Sequence, residues 1–111
     1  MAEELTKIKC VPCEGGMPPM ARKDFSAYLG QVEKWNILDD KMLEREFTFK
    51  NFKEALKFVN ACGEIAEADG HHPNLSLHSW NKVKVTLYTH AIDGLSINDF
   101  VVAAKIDKIK I

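Results

Sequence analysis

Residues 70–90 read "GHHPNLSLHSWNKVKVTLYTH", and two side-chain periodicities meet in this stretch. Upstream of it the period is helical. Phe52, Ala55, Leu56, Val59, Cys62, Gly63 and Ala66 share one face, with Lys53, Glu54, Lys57, Asn60, Glu64 and Glu67 largely elsewhere. Asn51 is a good N-cap, Gly70 suits the left-handed residue that ends a helix, and Pro73 blocks continuation. This segment reads as the central helix. Downstream the period falls to two. Val83, Val85 and Leu87 alternate with Lys84, Thr86 and Tyr88, which predicts a strand. "LSLHSW" supplies its partner, with Asn81-Lys82 as a two-residue turn.

The same alternation occurs once more upstream. In "WNILDDKMLEREFTF", residues 35–49, Leu43, Arg45, Phe47 and Phe49 alternate with Met42, Glu44, Glu46 and Thr48, as in a strand with one covered face. "LDDK" predicts a hairpin turn and makes Trp35–Leu38 the partner strand. Before it, Phe25, Tyr28, Leu29 and Val32 predict a short amphipathic helix. After the second hairpin, Ser96 caps a last helix with Ile97, Phe100, Val101, Ala104, Ile106 and Ile109 as its apolar positions. Asp99 completes a near capping box, with Asp where Glu is usual. "CEGGMPPM", residues 13–20, can sustain neither helix nor central strand. The expected organisation is therefore an N-terminal arm over residues 1–20 and one domain over 21–111. Its fold class is α+β, a four-stranded antiparallel sheet with three helices on one face in the order α-β-β-α-β-β-α.

Composition narrows the class of function. With 46% hydrophobic and 28% charged residues and a net charge of −1, the chain is neither a disordered segment nor a basic nucleic-acid binder. Its apolar runs are far shorter than a membrane span, and "MAEELTKIKC" lacks an apolar signal core, so a soluble cytoplasmic protein is expected. Cys10 and Cys13 in "CVPC" are half of a zinc spacing without a second cysteine pair. Histidines could complete such a site in principle, and the alternative is a Cys-Pro turn.

All four histidines, His71, His72, His78 and His90, fall within twenty positions. A turn at Asn81-Lys82 sets Trp80 opposite Val83, Ser76 opposite Leu87 and Asn74 opposite Thr89. His90 then lands opposite Pro73, beside His71 and His72, while His78 stays mid-strand and apart. Facing residues lie ~4.5–5.5 Å apart at Cβ. Three readings compete: a zinc site, a polar turn beside a strand-end histidine, and an acid/base site. The last has a physical basis. Imidazole titrates near neutral pH, two imidazoles across one pocket can serve as acid and base, and the C-terminal end of the preceding helix favours imidazolium. No nucleophile elbow or phosphate loop is present in the sequence. Such a site suits eliminations and dehydrations of reactive substrates.

Glu67, "ADG", His71-His72-Pro73, Trp80, His90 and Asp99 at this spacing resemble the signature of the pterin-4a-carbinolamine dehydratases. "GLS" before the last helix and the run Phe47, Phe49, Phe52, Ala55 are similar too, and the likeness covers roughly residues 30 to 108. The resemblance implies dehydration of 4a-hydroxytetrahydropterin to quinonoid dihydropterin, a step that recycles the cofactor of aromatic amino-acid hydroxylases. It implies no metal and no prosthetic group. His71 and His90 would be the acid/base pair, and His72, also catalytic, would orient the pterin and assist. Glu67, Gly70, Tyr88, Thr89 and Trp35 would lie against the substrate, with Asp99 behind a histidine or simply opening its helix. The family implies a homodimer or homotetramer. By analogy alone it also admits a transcription-factor partner, with no direct contact to nucleic acid or membrane. The competing functions are a non-catalytic interaction module and a metal-binding protein.

Overall fold

A computed structural model describes residues 4–8 and 19–111. Cys10 and Cys13 lie outside them. The ordered elements begin with a 3-10 turn at Leu5–Lys7. They continue with α1 (Arg22–Phe25), extended as 3-10 helix over Ser26–Gln31, β1 (Asn36–Leu38), β2 (Met42–Thr48) and α2 (Phe52–Asp69). β3 (Asn74–His78) and β4 (Lys82–Leu87) follow, then a 3-10 turn at His90–Ile92 and α3 (Ile97–Asp107). The described strands form one antiparallel sheet in the order β1-β2-β4-β3. The expected α+β fold holds.

The first helix departs from the expected α geometry after one turn. In a 3-10 helix residues three apart eclipse. That stacks Phe25 and Tyr28 onto the same partner, Phe100, with ring centroids 5.6 and 6.0 Å away. Gln31, next in the row, accepts the Leu5 N–H at 2.8 Å.

Both hairpins turn through two residues in the left-handed region, Asp39 and Asp40 (φ 51° and 55°) and Ser79 and Trp80 (φ 50° and 58°). This is the turn whose twist matches flanking strands. The first falls where "LDDK" places it. The second does not lie at Asn81-Lys82: His78 faces Lys82, Leu77 faces Val83, Leu75 faces Val85 and Asn74 faces Thr86. The burial pattern explains the shift. Val83, Val85 and Leu87 point into the core, and this register sets Leu77 and Leu75 beside the first two of them. The expected register would have put Trp80, His78 and Ser76 on that inner face instead. Trp80 is 61% exposed at the hairpin tip.

The helices pack on the sheet's apolar face, and the central one is α3 rather than α2. Asn98 through Ala104 and Ile106 are all buried. The reason lies in the arm: its Leu5 is fully buried and the Leu5–Lys7 turn packs on α3. A helix covered on two sides needs no polar face. α2 buries Ala55, Phe58, Cys62 and Ala66, a face rotated from the expected one. Phe58 sits 4.5 and 4.9 Å from the rings of Phe47 and Phe49, while Phe52 and Leu56 stay exposed.

Candidate active site around His71 and Asp99

His71 is set by the way α2 ends. Gly70 takes the left-handed conformation (φ 66°), and the N–H groups of Gly70 and His71 both reach the Ala66 carbonyl. This is the Schellman closure, which determines where the second residue past the helix points. Asp69, one residue before Gly70, accepts a hydrogen bond from Lys105 at 2.7 Å and so pins the end of α2 to α3.

α3 brings the partner. Asp99 is fully buried, and its Oδ2 accepts the Ser96 N–H at 2.9 Å, closing the capping box. The same oxygen accepts from Thr89 Oγ1 at 2.7 Å, and Oδ1 lies 2.6 Å from His71 Nε2. An ionised carboxylate only accepts, so Nε2 carries the proton and Nδ1 of neutral His71 holds the lone pair. Nδ1 is thus the atom at which His71 can take or give a proton. With its side chain 13% exposed, His71 has access to solvent while its partner has none.

His90 arrives by a route other than the expected one. β4 stops at Leu87, and Thr89 leaves the sheet to bridge Gly94, with Thr89 N donating to Gly94 O at 2.9 Å. The turn this closes carries His90, which is exposed. His90 is not opposite Pro73, because β3–β4 pairing ends at Asn74 and Thr86. It is tied to His71 instead through its chain neighbour Thr89 and the shared Asp99. Its ring stands edge-on to Tyr88, centroids 4.5 Å apart. Tyr88 Oη donates to Asp93, which also meets Lys41. That hydrogen bond raises the Tyr88 phenol above its ordinary value and, with Lys41 beside it, lowers the Asp93 carboxyl. Gly94 must be glycine for space: an added Cβ would lie 2.5 Å from Pro19 Cβ, where the chain entering the domain crosses this turn.

The other expected residues divide. His72 is exposed, and its Nε2 lies 2.7 Å from the Glu67 carboxylate. His78 stays apart as expected, 2.5 Å from Glu46 across the outer sheet face. Trp35 meets the C-terminal end of α3, whereas His71 meets its start. Trp35 is 6% exposed, and its indole N–H donates to Asp107, which also accepts from Arg45 at 2.6 Å. Burial holds the Asp107 carboxyl above the usual range, although Trp35 and Arg45 work against it. Asp107 and Asp99 are eight residues apart on α3, which at ~1.5 Å per residue is about 12 Å. The Thr89 backbone groups pair with Gly94, and its hydroxyl serves Asp99. Burial pushes the Cys62 thiol up to about 12, so it is no nucleophile at neutral pH. Among the described residues no three His, Cys, Asp or Glu side chains converge as a metal would need.

The Thr89 hydroxyl is absent from the sequence expectations, and the histidine in front of Asp99 is His71. Both residues carry a local signal. Thr89 continues the inward series Val83, Val85, Leu87, where an apolar residue would be ordinary. Asp is also shorter than the usual capping Glu, which keeps its free oxygen near the helix start.

Residues 18–109 match the family model described as pterin 4 alpha carbinolamine dehydratase. A protein of Alkaliphilus metalliredigens named as a pterin-4-alpha-carbinolamine dehydratase is 54% identical over 94% of each chain. One of Rubrobacter xylanophilus with the same name is 44% identical over 96% of this chain and 98% of its own. A solved structure from Brucella melitensis, described as a transcriptional coactivator/pterin dehydratase, superposes with a TM-score of 0.72 at 29% identity. It covers 80% of this chain and 95% of its own.

Proposed function

The chain belongs to the pterin-4-alpha-carbinolamine dehydratase family, and from that premise we propose that it dehydrates 4a-hydroxytetrahydropterin to quinonoid dihydropterin by histidine acid/base catalysis, in recycling of the tetrahydropterin cofactor. The observation that carries the mechanism is the bond from His71 Nε2–H to the buried Asp99. Hydroxide leaves poorly, so one imidazolium protonates the 4a oxygen. The N5 lone pair then expels water as the C4a–O bond breaks and the N5–C4a double bond forms. The second imidazole removes the N5 proton, and the protons balance as one water lost. His71 and His90 take these two roles, with Asp99 opposing the charge that His71 carries when protonated. His72, held by Glu67, orients the pterin. Gly70 and Tyr88 flank the histidines at the substrate, whereas Trp35 supports the core. The reaction needs no metal or prosthetic group in this scheme.

His71→Ala and His90→Ala should each lower the rate of quinonoid dihydropterin formation by about 10²–10⁴-fold, the scale of general acid–base help. Full turnover in both variants would sink the assignment.

The same proposal includes an N-terminal arm over residues 1–20 ahead of the 21–111 domain, a cytoplasmic location and a homo-oligomer. Among the described residues no helix is long and apolar enough to cross a membrane. The oligomer is supported by α2, where exposed Phe52 and Leu56 line up with part-exposed Val59 and with Gly63, which has nothing within 4 Å of its Cβ position. Lys53 and Lys57 lie near the start of α2, and Glu64 and Glu67 near its end. Antiparallel pairing of two copies would therefore set opposite charges against each other. Leu56→Glu should produce a smaller species in light scattering, and an unchanged mass would remove α2 as the interface. A second reading comes from the coactivator description of the Brucella relative: the chain would dock a transcription factor, and intact histidines without dehydratase turnover would favour it.

A further inference from the structure

Thr89 is 4% exposed and continues the inward-facing series of β4 after Val83, Val85 and Leu87. A buried hydroxyl is costly unless it is bonded, and valine would fill the same space without that cost. The hydroxyl therefore calls for an explanation that packing does not supply. The capping box does not supply it either, since Asp99 Oδ2 already accepts the Ser96 N–H.

The proton directions can be followed from groups that cannot reverse. The Asn98 N–H donates to Ser96 Oγ at 3.2 Å. Thr89 Oγ1 lies 2.9 Å from Ser96 Oγ and 2.7 Å from Asp99 Oδ2. Asp99 only accepts, so the Thr89 proton goes to Asp99 and the Ser96 proton goes to Thr89. Oδ2 thus receives two donors and Oδ1 is left facing His71 Nε2. The donors converge on Asp99: Ser96 donates to Thr89 and Thr89 to Oδ2, while His71 Nε2–H donates to Oδ1. The backbone of the same Thr89 closes the turn that carries His90.

We infer that Thr89 is a positioning residue, its hydroxyl oriented by Ser96 to lock the Asp99 carboxylate against His71, while its backbone bridge to Gly94 sets His90 relative to that pair. One threonine thereby keeps two histidines, far apart in sequence, in register with each other. The inference rests on the acid/base reading for its catalytic consequence, but the lock itself is a property of the free protein. Without the hydroxyl, Oδ2 keeps one donor and the carboxylate gains freedom to turn about its Cβ–Cγ bond. His71 then loses the partner that selects its Nε2–H tautomer.

The test uses the full chain labelled with ¹⁵N-histidine, above the pH at which imidazole titrates. The His71 ring shifts of the parent protein should report the Nε2–H tautomer. Thr89→Val should give a tautomer mixture, Thr89→Ser should restore the parent signature, and Ser96→Ala should give a weaker mixture. In the dehydratase assay Thr89→Val should lower kcat about tenfold, the scale of one hydrogen bond to a charged group, with KM nearly unchanged. A folded Thr89→Val protein with the parent tautomer, or one that loses only thermal stability, overturns the inference. If Thr89→Val fails to fold, an unaltered tautomer in Ser96→Ala overturns it and a mixture supports it. A parent protein without dehydratase turnover that still shows the tautomer change would refute the catalytic reading and leave the lock intact.

Discussion

Replacing Asp99 by asparagine changes one oxygen to an amide nitrogen and almost nothing in size. Two donors converge on Oδ2, the Ser96 N–H and the Thr89 hydroxyl. The backbone donor cannot reverse, so the amide oxygen must take that position. The amide NH₂ then occupies the place of Oδ1, 2.6 Å from His71 Nε2. Two donors cannot share that contact, and His71 relieves it by moving its proton to Nδ1. Every hydrogen bond is then remade, so stability should fall by only about 1 kcal/mol. The chemistry should fail, because Nδ1 now holds a proton in the neutral ring and can no longer accept one. The same exchange behind a catalytic histidine in a serine-protease triad costs about 10⁴-fold in kcat through the wrong tautomer. A loss of about 10²–10⁴-fold is expected here, since His90 still supplies half of the proton transfer. Asp99→Ala is the contrast. It strands three buried or part-buried donors at about 1–3 kcal/mol each and should melt the protein well below the parent. The assay pairs thermal melts with quinonoid dihydropterin formation followed by absorbance. Asp99→Asn turning over within about threefold of the parent would refute the reasoning, because it would mean that neither His71 nor its tautomer limits the rate.

Gly94→Ala should destabilise the protein by about 1–3 kcal/mol in urea titration, because the new methyl would meet Pro19 Cβ at 2.5 Å. Trp35→Phe removes the indole donor to Asp107 but keeps an aromatic ring beside Phe47, so stability should drop by about 1–2 kcal/mol. Its kcat/KM should stay within about twofold of the parent, and a selective rise in KM would instead place Trp35 against the pterin. The Tyr88 phenol, bonded to Asp93, should ionise at higher pH than a free phenol in an NMR titration. Stability from that bond is present below the ordinary phenol pKa and is lost as pH rises through the raised one. Asp93→Asn should bring the transition back down, and an unmoved midpoint would show that the pair does not form in solution.

Local signals were enough for the element order. Period 3.6 giving way to period two at residue 70, Asn51 and Ser96 as caps, and Gly70 before Pro73 all act within a few residues of chain, and each is where the structure has it. The hairpin register was also written in the chain, in the inward Leu75 and Leu77, against the turn signal of Asn81-Lys82. Side-chain alternation is the stronger constraint, because a wrong register buries Ser76 and His78 while a wrong turn strains only two residues.

The candidate histidines, the carboxylates Glu67 and Asp99 and the family they indicate were therefore determined by the sequence alone. Which helix is central was not. α3 is buried from Asn98 to Ala104, with Leu5 of a distant arm as part of its cover, and no periodicity within residues 97–107 can show that. Nor does the sequence say which histidine stands in front of Asp99, or that Thr89 hangs between that carboxylate and the turn of His90. Those contacts join the end of α2, the end of β4 and the start of α3. Their geometry exists only once the sheet and both helices have packed, since each side chain is placed by its own element and none by the residue it meets.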